Sequence, residues 1–256
     1  MTFLEQYGPR ALVTGASSGI GEVYARQLAA KGFHLMLVAR RLDRLEALAE
    51  ELRAAHQIDV VTFQADLSQR EALDAVSDKA RELDDVGLLI NNAGMSVNGY
   101  FLKRELKYHE LLMDLNMRAP MILSHQIGQQ MLAREKGGII MVASVSAFYP
   151  VPFISQYSAG KSYLLFLGEC LNEEMKRKNV TVQVLCPGFT RSEMTSGMEG
   201  RFRLLEPEFV VKRSLDQLGK RTTVVPGAFY GFMTRILPRF FSRSFMLKLA
   251  MKQMGK

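Results

Sequence analysis

At 256 residues, 48% hydrophobic and 23% charged, the chain has the composition of one folded domain rather than of a disordered or repetitive protein. No stretch approaches the ~18 apolar residues of a membrane span, and residues 1–7 (MTFLEQY) are too short and too polar for a secretion signal; a cytoplasmic protein is expected. The net charge is +7, Cys170 and Cys186 sit in apolar surroundings as small buried hydrophobes, and the four histidines show no ligand spacing, so neither a disulfide nor a metal site is expected.

The first predicted strand, 11–14, runs into Gly15-Ala16-Ser17-Ser18-Gly19-Ile20-Gly21, and a helical pattern over 19–31 stops at Gly32. Strand, glycine-rich turn and helix in that order aim backbone N–H groups at a phosphate. The spacing is GxxxGxG and departs from the GxGxxG fingerprint. Gly15 allows the tight turn, Gly19 the approach of a pyrophosphate, and Gly21 close packing of helix on strand.

A second strand, 34–39, ends at Ala39, and Arg40 and Arg41 follow before a helix over 42–55. NAD-preferring dinucleotide folds place an acid near this point for the ribose 2′-hydroxyl, whereas an arginine suits the 2′-phosphate of NADP. No carboxylate is available, and a guanidinium pairs with phosphate in a bidentate way. NADP is the expected cofactor, with Arg40 as the main discriminator.

Strands at 58–63, 86–91, 138–143, 180–186 and 223–225 then alternate with helices near 69–83, 105–135 and 155–178. Most strands are continuous apolar runs, as a parallel sheet covered on both faces requires. The alternation predicts an α/β, doubly wound parallel sheet of Rossmann type with right-handed crossovers, its cofactor lying where strand order reverses. Residues 1–227 form one domain in this reading, and 228–256 extend it. In the helix over 155–178, Tyr157 and Lys161 stand at i and i+4 and share a face. A phenol has a pKa of ~10; a nearby cation lowers it and makes the phenol a usable acid and base. Two such residues at that spacing are also common on exposed helix faces, so the pair alone decides nothing.

Together these segments resemble the short-chain dehydrogenase/reductase family over roughly residues 9–227. Thr14 to Gly21 match its cofactor motif, and Asn91-Asn92-Ala93-Gly94 match its central-strand motif. Asn116, Ser144, Tyr157 and Lys161 fall where its catalytic tetrad falls, with Ser144 thirteen residues before Tyr157. Pro187-Gly188 matches its nicotinamide-side PGxxxT motif, in which Ser192 fills the threonine slot. The resemblance implies carbonyl reduction or alcohol oxidation, with Tyr157 moving the proton and Ser144 holding the carbonyl oxygen. Lys161 would lower the phenol pKa and bind the nicotinamide ribose, and Asn116 would kink its helix and anchor a water. It further implies cofactor contacts at Gly15, Ser17, Ser18, Gly19, Ile20 and Gly21, at Arg40 and Arg41, at Asp66 and Leu67 beside the adenine, at Asn92, Ala93 and Gly94, and at Pro187, Gly188, Thr190 and Ser192. One departure stands out: Ser18 occupies a place where NADP-preferring relatives often carry a basic residue. A homodimer or homotetramer is implied as well.

In that family the substrate lies against the segments after the fifth strand and after Pro187-Gly188. Here these offer Phe148, Tyr149, Val151, Phe153, Ile154, Phe189, Met194, Met198 and Phe202. Such a lining suits an apolar, lipid-like carbonyl compound such as a 3-oxoacyl thioester or a steroid-like ketone; several of these residues could equally be core or dimer contacts. A non-catalytic cofactor-binding regulator and a reductase of small generic aldehydes and ketones are the alternatives.

Residues 228–256 contain no acid and carry Arg235, Arg239, Arg243, Lys248, Lys252 and Lys256. Each of the two basic triplets, 235/239/243 and 248/252/256, repeats every four positions among aromatic and aliphatic residues, with Pro238 dividing two helices. This pattern fits peripheral contact with an anionic membrane, or a helical pair folded over the cleft or against a second subunit. The bulky apolar residues between the charges, and the lack of a groove-reading motif, argue against nucleic acid.

Overall fold

A seven-stranded parallel sheet organises the computed structural model, which describes residues 2–197, 200 and 202–254. Its strands are β1 (Arg10–Thr14), β2 (His34–Ala39), β3 (Val60–Gln64), β4 (Val86–Asn91), β5 (Gly137–Val142), β6 (Val180–Leu185) and β7 (Thr223–Val224), in the order β3-β2-β1-β4-β5-β6-β7. A short helix, α1 (Phe3–Tyr7), precedes them. The crossovers are α2 (Gly19–Ala29), α3 (Leu42–His56), α4 (Arg70–Leu83), α5 (Leu106–Met113) continuing into α6 (Ala119–Ala133), α7 (Ser155–Met175) and α8 (Pro207–Gln217). Beyond β7 come α9 (Ala228–Gly231), α10 (Leu237–Phe240) and α11 (Arg243–Met254).

The continuous apolar runs have the predicted cause. Ala11 and Val13 of β1, with Leu35 and Leu37 of β2, pack on one face against Tyr24 and Leu28 of α2, Leu45 and Leu52 of α3 and Val211 of α8. Leu12, Met36 and Val38 point the other way, toward Leu73 of α4, Leu123 and Ile127 of α6, and Leu164 of α7. Successive strand residues alternate between faces, so both phases of the alternation must be apolar. The doubly wound α/β architecture expected from the sequence is the architecture observed.

Several boundaries and placements differ from the sequence reading. The strands at 34–39 and 86–91 coincide with β2 and β4, but β3 starts at Val60. The helix expected over 105–135 carries a π turn, Asp114–Arg118, in which the Ala119 N–H reaches back to the Asp114 carbonyl. The extra residue in that turn widens the helix, and such insertions gather at functional sites. Cys170 is exposed, whereas Cys186 is buried. Cys170 lies one turn beyond Phe166, itself 67% exposed, so the two share an outward stripe of α7. In the tail the break falls at Phe241 and Ser242, not at Pro238. Ser242 Oγ accepts from the Phe245 N–H at 3.2 Å, an N-terminal cap for α11. Arg239 and Arg243 therefore lie on either side of the break and do not share one helical stripe. Met198 and Lys256 lie outside the described residues, as do the side chains of Arg235, Leu237, Pro238 and Met254.

Candidate active site

Strand order reverses between β1 and β4, and there the carboxyl ends of the strands open into a cavity of about 470 Å³. This is where open α/β sheets hold their ligands. One end is built by the turn from β1 to α2. Gly15 and Gly19 take φ of +66° and +58°, values an L side chain rarely adopts. Asn92 Nδ2 donates to the carbonyls of Thr14 (3.0 Å) and Gly15 (3.3 Å). Thr14 Oγ1 donates to the Ile90 carbonyl and accepts from the Asn92 and Ala93 N–H groups, each at 3.0 Å. The glycine turn is thereby pinned to the end of β4.

Gly15, Ser17, Ser18, Gly19 and Ile20 line the cavity. Gly21 does not, because it packs against the turn itself. A Cβ there would fall inside contact distance of the Gly15 carbonyl and 2.5 Å from Asn92 Nδ2. The close approach assigned to Gly21 is thus helix against turn rather than helix against strand. Gly21→Ala is expected to cost roughly 1–3 kcal/mol through overpacking, read as a lowered thermal midpoint; a midpoint equal to that of the parent chain would contradict this packing.

The residues present suit a dinucleotide. Ser18 stands at the N-cap of α2 yet makes no side-chain capping bond, which leaves first-turn N–H groups for an anion. Arg40 is exposed, and among the described residues its guanidinium has no partner. Arg41 is already engaged: its Nε and Nη2 donate to Ser17 Oγ at 3.2 and 3.1 Å, and Nη2 to Ser18 Oγ at 2.9 Å. Ser18, the departure from the basic residue of NADP-preferring relatives, is therefore backed by a guanidinium from the next strand end. Asp66 and Leu67 line the same region, with Asp66 Oδ1 accepting from the Ser68 N–H and hydroxyl. Ala93 and Gly94 form the floor beside Asn92, and Pro187, Gly188, Thr190 and Ser192 close the far wall. The Pro187 carbonyl accepts from the Val145 N–H at 3.0 Å, which ties that wall to the end of β5.

Ser144, Tyr157 and Lys161 meet on this cavity. Lys161 Nζ lies 5.6 Å from the centroid of the Tyr157 ring and donates to the Val142 carbonyl at 2.7 Å. Ser144 Oγ accepts from the Ser146 N–H at 3.2 Å. Burial raises the Tyr157 pKa above its ordinary value, a hydrogen bond with Ser144 opposes that rise, and nearby Cys186 adds to it. Burial also lowers Lys161 to about 8. The cation therefore does not bring the phenol below its ordinary value as expected, because the low-dielectric surroundings that penalise phenolate penalise the ammonium too.

Asn116 does not line the cavity. It is buried in the π turn, where Oδ1 accepts from the Met95 N–H at 2.9 Å and Nδ2 donates to the Met95 carbonyl at 2.8 Å. Its amide grips both the backbone N–H and the carbonyl of Met95 in the loop after Gly94, so it shapes the wall on which Met95 and Ser96 stand rather than presenting its side chain to a ligand.

Of the apolar lining expected, Ile154, Phe189 and Met194 reach the cavity; Phe148, Tyr149, Val151, Phe153 and Phe202 do not. Phe148 packs on the core, and Phe202 stacks on Phe189 with centroids 4.1 Å apart. Sequence reasoning missed Met95, Ser96, Asn98, Leu115 and Glu193, all of which line it. Position directly after Asn92-Ala93-Gly94 could have signalled the first two. Ser146 Oγ, buried on the same wall, has no hydrogen-bond partner among the described residues.

A single cleft with the uncapped first turn of a helix at one end and a buried Tyr157–Lys161 pair at the other fits the layout of a Rossmann-type oxidoreductase. Residues 9–200 match the short chain dehydrogenase family, and the chain belongs to that family of enzymes. Human 17-beta-hydroxysteroid dehydrogenase type 3 is 32% identical over 218 residues, covering 84% of this chain and 70% of that protein. Very-long-chain 3-oxoacyl-CoA reductase from Bos taurus is 30% identical over 216 residues, covering 83% and 69%. Among solved structures, a short-chain dehydrogenase from Sphingobium yanoikuyae in complex with NADPH superposes with a TM-score of 0.80 at 34% identity, covering 89% of this chain and 96% of that one.

Proposed function

We propose that the protein is an NADP(H)-dependent oxidoreductase that reduces the carbonyl of an apolar, lipid-like substrate, such as a 3-oxoacyl thioester or a steroid-like ketone. The convergence of Ser144, Tyr157 and Lys161 on a cavity that also contains Arg40, whose guanidinium has no partner among the described residues, carries this reading. The relatives named for hydroxysteroid and 3-oxoacyl-CoA chemistry, and the NADPH complex, support it.

The cofactor would lie along the cavity, its pyrophosphate on the turn from Gly15 to Ile20, its adenine side by Asp66 and Leu67, and its nicotinamide side by Asn92 to Gly94 and Pro187 to Ser192. When bound, it supplies the hydride that a carbonyl carbon accepts. The protein supplies the proton and the orientation. Tyr157, held protonated by burial, gives its phenolic proton to the oxygen that becomes the alcohol. Ser144, with its Oγ fixed by the Ser146 N–H, donates to the same oxygen and stabilises charge that develops only in the transition state. Lys161 offsets the charge left on Tyr157 and holds ribose hydroxyls. Asn116 acts at one remove, as a positioning residue for the Met95 wall. Met95, Ile154, Phe189 and Met194 give the substrate end an apolar character.

Loss of reduced cofactor, measured with a panel of aldehydes, ketones and 3-oxoacyl thioesters, tests the reading. Bulky apolar carbonyls should be reduced with NADPH; turnover confined to small polar carbonyls would replace it with a general aldehyde reductase. Cofactor choice has its own test. Arg40→Ala should weaken NADPH by roughly tenfold or more, the scale of a lost charge-assisted hydrogen bond, and leave NADH nearly unchanged. Equal loss for both would remove the phosphate from Arg40.

Residues 1–227 carry the chemistry in this reading, and 228–256 extend the same domain and meet a membrane surface. The outward stripe of α7 at Phe166 and Cys170, with Met121 of α6 also exposed, suits a subunit contact of a homodimer or homotetramer.

A further inference from the structure

Glu193 lies in the loop after β6, yet it reaches across the mouth of the cavity to the opposite wall. Its carboxylate pairs with Arg41 Nη1 at 2.9 Å and with Arg44 Nη1 at 2.5 Å. The loop that presents it is braced from within. The Ser192 N–H donates to Thr195 Oγ1 at 3.0 Å, and that hydroxyl donates to the Thr190 carbonyl at 2.7 Å. Arg44, and after it Arg41, hold the Glu193 carboxyl below its ordinary pKa, so the group is ionised at neutral pH.

Arg41 is also the side chain that clasps Ser17 and Ser18 of the glycine turn. Among the described residues, Glu193 supplies the carboxylate that pairs directly with both Arg41 and Arg44, with Asp43 and Glu22 acting on Arg44 from farther off. An NADP molecule in the cavity would bring a further anion, its 2′-phosphate, to the same guanidiniums. Two anions sharing one small basic cluster repel each other, and each gains from the other's absence.

We propose that Glu193 is a specificity-determining residue that competes with the cofactor 2′-phosphate for Arg41 and Arg44 and so sets the margin by which NADP is preferred over NAD. The inference rests on the cofactor placement given above. It makes the preference a balance: Arg40, Arg41 and Arg44 favour the phosphate, and Glu193 subtracts from that gain. Because NAD carries a hydroxyl at the 2′ position, it leaves the Glu193 ion pairs in place.

Titration calorimetry on the full chain and on Glu193→Gln, with NADPH and NADH, tests this directly. Adenosine 2′,5′-bisphosphate and adenosine 5′-phosphate isolate the phosphate corner from the nicotinamide end. Glu193→Gln should bind NADPH and the bisphosphate roughly three- to tenfold more tightly, the scale set by its two exposed ion pairs together. NADH and adenosine 5′-phosphate should stay within about twofold of the parent. Glu193→Ala should behave in the same way, since the effect lies in the charge. A parallel change for both cofactors, weaker NADPH binding, or no change would overturn the proposal. Should the parent chain bind neither dinucleotide, the cofactor placement itself fails; parent binding with no response to Glu193→Gln sinks only the role of Glu193.

Discussion

Tyr157→Phe should lower carbonyl reduction by at least ~10²–10⁴-fold, the range for lost general acid–base catalysis, while leaving NADPH affinity close to that of the parent. The substitution keeps the ring on the cavity wall and removes only the hydroxyl. Lys161→Ala should instead damage turnover and cofactor binding together, because the ammonium serves both. Single-turnover rates and cofactor titrations separate the two phenotypes. A Tyr157→Phe protein with near-normal turnover would dispose of the proton-transfer role.

The pH dependence follows from the same pair. The phenol is raised by burial, so it stays protonated through neutral pH, as a proton donor for reduction must. Lys161, lowered to about 8 by burial, is charged below that pH and neutral above it. Reduction should therefore hold through neutral pH and fall as pH rises past about 8, where the cation that offsets phenolate is lost. Alcohol oxidation needs the phenol ionised and should gain on the alkaline side. A reduction rate that rose across this interval would contradict the assignment of Tyr157 as the acid.

Local signals account for what was legible in the sequence. The turn from Gly15 to Gly21 and the Tyr157–Lys161 spacing are short-range patterns, and the structure brings both to one cavity. Continuous apolar runs located β2 and β4 because residues buried on both sheet faces leave no other trace. The missing pieces are of three kinds. The helix α8 begins at Pro207 and spans only 11 residues, with Val210, Val211 and Leu215 set among charged ones; so short a stretch directly after a long loop is easily passed over. The π turn at Asn116 is a change of hydrogen-bond register that no residue spacing announces. The Glu193 ion pairs join positions 152 and 149 residues apart; one acid in a loop of mixed apolar and polar residues gives no sign of its partners until the chain has folded. Burial had a comparable effect on Tyr157 and Lys161, where spacing shows proximity but not the loss of solvent that shifts both groups.

Anionic vesicles should bind the full chain reversibly, and a chain ending near residue 227 should lose that binding. No helix among the described residues is long and apolar enough to cross a membrane, so contact would be peripheral. The tail is attached to the site at its start: Tyr230 packs over Gly188 and its hydroxyl donates to the Arg203 carbonyl at 2.7 Å. Farther along, Met246 and Ala250 turn inward, one helical turn apart, and anchor one side of α11. The other side presents Phe245, Leu247 and Met251, and Phe240 ahead of the helix is 77% exposed. Phe241 stacks on Phe245 with centroids 4.6 Å apart. Arg239, Arg243, Lys248 and Lys252 are exposed among them, with no acid from 228 onward to offset their charge. Each basic residue near an anionic surface contributes about 1 kcal/mol, so these four together are worth roughly a thousandfold in affinity at low salt. Screening shortens that reach as salt rises, and the exposed rings add a salt-insensitive part through burial among lipid chains. Cosedimentation over a salt series, with neutral vesicles as the contrast, reads both parts. Binding that is equal for neutral and anionic vesicles would remove the charges from the account. A truncated chain that unfolds or changes its oligomeric state, with no vesicle binding by the intact chain, would make the same aromatic surface a contact within or between subunits.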